Sequence, residues 1–473
     1  MIIGRKIEKE ELLSALEADE SQFIAVYGRR RVGKTYLIRE TFDYHFAFHH
    51  TGLAKGSLTE QLAEFQESLR QAGMKLPRRP KSWMEAFHML SDLISEIGGD
   101  EKKVIFIDEL PWMDTVRSNL LTAVEHFWNG WASARKDIVL IVCGSATAWV
   151  QKKILKNYGG LHNRVNIKMR VNPFTLAECE QYMESRGIEF SRKQLTLGYM
   201  AMGGIPYYWS LMNKKWSLDQ NIDELFFKND GQLQKEYDAL YASLFKYPEP
   251  YIKVVNALGK VRQGLQREEI LRHTKLSDNK TFADVLSDLE ECGFIRKYSA
   301  IGKKSHGAFY QLIDNYTLFY LNFIKMNKEN DEHFWTNSID TPTRTSWSGL
   351  AFERLCLWHI PQIKSALGIQ GVNSSTYSWR TVANEFHGGA QVDLLIDRKD
   401  DVINLCEMKY SDDDYAIDSE EEKKLRNRKT AFKLDTKTKK SIFTTLVTTY
   451  GLRKNSHSEI VQNVVTMDDL FKA

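Results

Sequence analysis

A chain of 473 residues is too long for one hydrophobic core, so two to four domains are expected, and 42% hydrophobic with 27% charged residues should let all of them fold. With 65 basic and 62 acidic residues the formal charge is only +3, which excludes a uniformly basic chain and makes any nucleic-acid surface a local one. Five scattered cysteines without a CxxC pair speak against a disulfide framework and a zinc module, and no apolar run is long enough for a leader or a span, so a soluble cytoplasmic protein with no membrane association is expected.

The first element is FIAVYGRRRVGKTYLIRE at 23–40: an apolar strand, a tight turn and an apolar-periodic helix. Its turn, GRRRVGKT, matches the phosphate-loop pattern over Gly28, Arg29, Arg30, Arg31, Val32, Gly33, Lys34 and Thr35. Backbone N–H groups and the positive helix end would meet phosphates, Lys34 would reach the terminal ones, and the Thr35 hydroxyl suits Mg2+. KKVIFIDELPW at 102–112 reads as a buried parallel strand delivering Asp108 and Glu109 at its carboxyl end. Asp108 is expected to hold the metal, and Glu109 to orient and deprotonate the attacking water. DIVLIVCGSA at 137–146 is a third strand, ending in Ser145, which could sense the terminal phosphate or start a turn. Strands at 23–27, 45–49, 104–107, 138–143 and 166–171 should form a mostly parallel sheet with ligands at its carboxyl edge.

IIGRKIEKEELL, GRRRVGKT, FIDELPW, CGSA, LHNRV, VNPFTLAE and GGIPYYW together resemble the AAA+ and STAND superfamily, and more closely the archaeal-type ATPase family. That resemblance implies ATP as cofactor; the missing guanine-selecting NKxD points the same way. It also implies that Arg164 of LHNRV lies near phosphates between subunits of a homo-oligomer, although a surface arginine fits equally. Gly203, Gly204 and Pro206 read as a turn that stops a helix, and in the family this segment belongs to a helical lid.

From 250 onward three short helical patterns, a strand, the basic tip IGKKSHG and a second strand read as a winged helix-turn-helix. Its third helix, about 279–292, carries Asp284, Asp288, Glu290 and Glu291, so Lys303, Lys304 and His306 at the tip are the better DNA contacts. Packing against protein is the other use of such a module. The aromatic run DNYTLFYLNFI at 314–324 has the spacing of a core helix.

SWSGLAFERLCLWHI at 346–360 reads as an amphipathic helix carrying Glu353. YSWRTVANEF and GGAQVDLLIDR follow as two paired strands, with Asp393 and Leu395 on one face, and INLCEMKYS at 403–411 as a third. A period of two puts Glu407 and Lys409 on one face of that strand. Asp393 and Glu407 could bind a divalent metal, and Lys409 could orient or deprotonate its water. This D, then E-x-K pattern resembles the restriction-endonuclease-like fold, with Glu353 as the helical acid and Gln391 as a polar neighbour of the site. The expected fold class is therefore α/β: a P-loop AAA+-like parallel sheet over 1–175, a helical lid over 176–245, a winged helix over 246–325 and a restriction-endonuclease-like domain over 326–473. The expected function is an ATP-hydrolysing protein that regulates or positions a Mg2+-dependent DNA nuclease. A STAND-like signalling or scaffold ATPase with a noncatalytic terminal module is the alternative, and a protein partner stays open.

Overall fold

The computed structural model describes residues 2–156, 159–161, 163–298 and 308–472. Lys303, Lys304 and His306, the expected wing tip, lie outside the described residues. The chain divides into two compact units, Met1–Pro173 and Phe174–Ala473.

The first unit is built on β1 (Gln22–Tyr27), β2 (Phe48–Thr51), β3 (Lys103–Asp108), β4 (Ile138–Gly144) and β5 (Ile167–Arg170). They pair in parallel in the order β2-β3-β4-β1-β5. β3 and β4 are buried at every position, which is why they read as continuous apolar runs rather than alternating ones. Phe65, Trp83, Phe87, Leu90 and Phe127 from the flanking helices meet Phe23, Ile105 and Leu140 from the sheet in one core. The expected strand at 45–49 begins three residues later. Asp43 and Tyr44 take left-handed backbone angles that make a turn, and pairing starts only when Ala47 N–H reaches the Val104 carbonyl at 2.9 Å. Tyr27, Thr51, Asp108 and Gly144 thus end at one edge of the sheet.

In the second unit, the helix Arg192–Met202 stops at Gly203, whose left-handed backbone (φ 67°) satisfies the turn predicted by the Gly-Gly-Ile-Pro stretch. A Cβ on Gly204 would lie 1.9 Å from the Phe174 carbonyl oxygen, where a backbone hydrogen bond already closes the two segments at 2.6 Å. Gly204→Ala is accordingly expected to cost at least about 2 kcal/mol, read as a lower thermal unfolding midpoint of the full chain.

Helices Glu249–Leu258, Arg267–Thr274 and Lys280–Glu291 follow, with β6 (Leu265–Gln266), β7 (Ile295–Tyr298) and β8 (Phe309–Leu312) in an antiparallel sheet ordered β6-β8-β7. Three helices and then a pair of strands follow the order expected from sequence; β6, between the first and second helices, was not expected. The third helix buries Phe282, Val285, Leu286 and Leu289, and Asp288 accepts the Tyr251 hydroxyl at 2.9 Å. The aromatic run is core: Tyr316, Phe319 and Phe323 are buried, with Phe319 and Phe323 packed edge-on against Trp335 and Trp347.

The last sheet holds β9 (Ser374–Thr381), β10 (Ala390–Arg398), β11 (Val402–Lys409), β12 (Ser441–Thr448) and β13 (Asn463–Thr466), in the order β13-β12-β11-β10-β9. β9, β10 and β11 are antiparallel; β11, β12 and β13 are parallel. Helix Pro342–Trp358 precedes the sheet, and helix Ser419–Thr436 connects β11 to β12, because a parallel pair needs a crossover. A register shift between Val392 and Leu395 breaks the alternation expected for β10. Leu395 therefore joins Val392, Leu405 and Phe432 in the core instead of sharing a face with Asp393.

Candidate functional site

The phosphate loop closes on itself. Gly28 has φ 152°, and a Cβ there would lie 2.2 Å from the Val171 carbonyl oxygen, so no side chain fits. Lys34 is buried, and its ammonium donates to the carbonyls of Gly28 and Arg29 at 3.0 Å each, holding the loop as a cradle. Val32 anchors the loop in the core, Arg29 is buried, and Arg30 and Arg31 are half-buried. Helix Lys34–Thr41 starts directly after Gly33, so its first N–H groups are without helical acceptors and face the loop end.

The carboxyl ends of β3 and β4 complete the arrangement. Thr35 Oγ1 donates to Asp108 Oδ2 at 2.8 Å, joining a hydroxyl and a carboxylate in the hard-oxygen pair that suits Mg2+. Glu109 has φ 48°, a left-handed angle that non-glycine residues adopt at a cost and that often marks a functional position. Its Oε2 accepts the backbone N–H of Ser145 at 3.0 Å and the Ser145 hydroxyl at 2.9 Å. Burial raises the Glu109 pKa above the ordinary carboxylate value, and the nearby Lys34 charge opposes this. Lys34, Thr35, Asp108, Glu109 and Ser145, all expected from sequence, come together. Arg164 is exposed in a turn where its N–H reaches the Leu161 carbonyl at 3.1 Å. Sequence reasoning missed Cys143, a buried thiol beside Asp108, and Gln61. The Gln61 amide spans the Leu53 and Trp112 carbonyls at 2.7 and 2.9 Å and fixes the chain around the acidic edge.

The carboxyl-terminal acids are engaged differently. Glu407 and Lys409 share a face as expected, 3.0 Å apart. Glu407 also meets the Arg428 guanidinium at 2.8 Å, and Lys409 meets Glu421 at 3.0 Å, both from helix Ser419–Thr436. Burial works to lower the Lys409 pKa, but Glu407 and Glu421 outweigh it and the net shift is upward. Lys409 stays charged, which suits orienting and offsetting charge and not removing a proton.

Asp393 accepts from the Gln391 amide at 2.7 Å, and its charged surroundings are Arg296 and Arg354. Glu353 is buried and accepts from Arg262 through Nε and Nη2, with Arg354 3.9 Å away. Glu353 is thus tied to the segment before β6, while Glu407 is tied to the crossover helix. Among the described residues no group of three or more His, Cys, Asp or Glu side chains is placed to hold a metal ion. Glu421 and Arg428, seven residues apart on one helix face, could have been found from helical spacing; Arg262 could not.

Comparison with known proteins gives the following. An uncharacterized protein of Methanocaldococcus jannaschii is 22% identical over 416 residues, spanning 87% of this chain and 88% of the relative. The Walker-type ATPase of Pyrococcus abyssi is 17% identical, covering 68% of this chain and 96% of its own, with a TM-score of 0.47. The ORC2 protein of Aeropyrum pernix is 13% identical, covering 70% and 96%, with a TM-score of 0.40. Among the described residues no helix is long and apolar enough to cross a membrane. Residues 3–211 match the family model described as an ATPase domain predominantly from Archaea, and with the loop, the paired Thr35 and Asp108 and the Glu109 carboxylate in place, this part of the chain has the α/β P-loop ATPase fold.

Proposed function

We propose that the chain is an ATP-hydrolysing protein of the AAA+/STAND type whose carboxyl-terminal domain, 326–473, is a noncatalytic binding module. In this reading 1–175 is the ATPase core, 176–245 a lid and 246–325 a winged helix, in a cytoplasmic protein with DNA as partner and Arg164 acting across a homo-oligomer boundary. The loop N–H groups and Lys34 would hold the phosphates, and Thr35 with Asp108 would hold Mg2+, which neutralises charge on the phosphates when bound. Glu109 orients water against the terminal phosphorus and takes its proton as the bond to ADP breaks, with Ser145 steadying the carboxylate. Lys34→Ala is expected to weaken ATP binding by at least about tenfold, since a charge-assisted contact is worth about 1.5–3 kcal/mol; unchanged affinity for a fluorescent nucleotide would count against this loop as the site.

The observation that carries the binding-module reading is the engagement of the acids: Glu407 by Lys409 and Arg428, Glu353 by Arg262. Cations of the chain already neutralise carboxylates that a divalent ion would need. One arrangement favours the nuclease reading instead. A helix, three antiparallel strands, a crossover helix and a parallel strand support a restriction-endonuclease-like fold, and Asp393 lies on the strand beside Glu407 and Lys409. The two readings part in a cleavage assay on labelled single- and double-stranded DNA with Mg2+ or Mn2+, with and without ATP. The expected result is ATP turnover with no cutting by the parent. Cutting that disappears in Glu407→Ala/Lys409→Ala while ATP turnover persists would move the conclusion to an ATP-regulated nuclease.

A further inference from the structure

Helix Ser419–Thr436 has 18 residues, a length of about 27 Å. Leu425, Ala431 and Phe432 bury one side of it against the sheet, where Glu421 and Arg428 also point. Lys423, Arg426, Lys429 and Lys433 fall within about a third of the circumference on the opposite side. Lys423, Arg426 and Lys433 are exposed and Lys429 half-buried. Arg426 is paired with Glu422 at 2.5 Å. Lys423, Lys429 and Lys433 are in no ion pair among the described residues, and the exposed Lys437 and Lys439 extend the series past the helix end.

A second feature lies on the flank of the same helix that carries Asn427 and Asp435. The turn between β9 and β10 is pinned: Asn384 Oδ1 accepts the N–H groups of Phe386 and His387 at 2.9 and 3.0 Å, and His387 meets Asp435 of the same helix at 2.9 Å. Gly388 N–H reaches Asn427 Oδ1, also on that helix, at 3.0 Å. The turn so fixed leaves Phe386 73% and Val382 82% exposed, and Leu434 of the helix is 49% exposed. Two apolar side chains held in solvent by a built turn, with a third on the helix that pins it, are not the random exposure of a loop.

We infer that the outer face of helix Ser419–Thr436, together with Phe386, is a binding surface for single-stranded nucleic acid, which rests on the reading of this domain as a binding module. A line of cations suits a linear polyanion, and an aromatic ring held in solvent on another flank of the same helix suits unpaired bases, which stack on such rings whatever their sequence. A lipid surface would need the apolar side of the helix, and that side is buried in the sheet.

The test uses the full chain with EDTA present and a labelled oligothymidine of about 20 nucleotides, followed by anisotropy over a salt series. A duplex and phosphatidylserine vesicles form separate arms, and fluorescent-nucleotide binding is measured in parallel. Lys423→Gln/Lys429→Gln/Lys433→Gln is expected to lower affinity at least tenfold and to reduce the salt slope by about 2, at about 0.7 per phosphate contact. Phe386→Ala is expected to lower affinity about 5- to 100-fold, as loss of one stacked base does, with the slope unchanged. Retained thermal unfolding and nucleotide binding in these variants show that they fold. No oligonucleotide binding by a parent that binds nucleotide, binding untouched by the triple variant, or vesicle binding without oligonucleotide binding each overturns the inference and leaves the ATPase reading standing. Failure of nucleotide binding overturns that reading separately.

Discussion

Glu109→Gln binds ATP as the parent does and turns it over about 10²–10⁴-fold more slowly. The expectation follows from the place of this carboxylate at the end of β3. There its left-handed backbone angle aims it at the edge where Thr35 and Asp108 meet, and Ser145 fixes its rotation through two hydrogen bonds. Gln can still accept from Ser145, so geometry survives while basicity does not. Burial raises the Glu109 pKa, opposed by Lys34, so the base becomes active only above the ordinary glutamate value of 4.5. Parent activity should fall as pH drops through that raised value, and this acidic limb should be missing from the residual activity of the variant. The same shift fixes the sign for stability: the folded chain holds the proton more tightly than the unfolded one, so stability is lost as pH rises through the folded pKa. At pH 7 the Gln variant, which carries no buried charge there, should therefore unfold at the same temperature as the parent or higher. Phosphate release, nucleotide binding and thermal unfolding check the three parts, and a variant that hydrolyses ATP at the parent rate removes Glu109 from the mechanism.

What was legible in the sequence follows the range of the forces involved. The loop Gly28–Thr35 and the strand end at Asp108 and Glu109 were readable because a strand, a turn and a helix in one short stretch fix their own geometry. β3 and β4 were readable because burial on both faces leaves unbroken apolar runs. β2 was displaced because FHHT carries no apolar alternation and is placed by its partner β3. The pairing of β9 with β10 followed from the polar turn EFHGG between them and the shared face of Glu407 and Lys409 from a period of two, but the register shift after Val392 carries no glycine or proline to announce it. The counter-charges were out of reach for another reason. Arg262 is 91 positions before Glu353, and nothing in either neighbourhood names the other.

That distant pair gives the second large effect. Arg262→Ala is expected to destabilise the unit Phe174–Ala473 by about 1–3 kcal/mol, below the 3–5 kcal/mol typical of breaking a fully buried pair. The Glu353 side chain is 5% exposed whereas that of Arg262 is 59% exposed, so the penalty is that of stranding one carboxylate in the interior. Arg354 limits the loss: its Nη1 is 3.9 Å from Glu353 and makes no hydrogen bond among the described residues, while Nε and Nη2 are held by the carbonyls of Leu312 and Arg262, so it can meet part of the stranded charge but not both carboxylate oxygens. Burial lowers the Arg354 pKa to about 10, with Asp393 opposing and Arg262 reinforcing the change, so loss of the Arg262 charge also relieves a repulsion and offsets part of the cost. Glu353→Gln should cost less than Arg262→Ala, because it leaves a solvated cation instead of a buried anion. Arg262→Ala/Glu353→Leu should recover much of the loss, since an apolar side chain at that position strands no charge. Denaturant unfolding of the parent, Arg262→Ala, Glu353→Leu and Arg262→Ala/Glu353→Leu closes one cycle and reads the coupling directly. A coupling near zero would mean that solvent already satisfies Glu353, and would free it to join Asp393 and Glu407 as a ligand, whereas a coupling of about 1 kcal/mol or more holds it to a structural role.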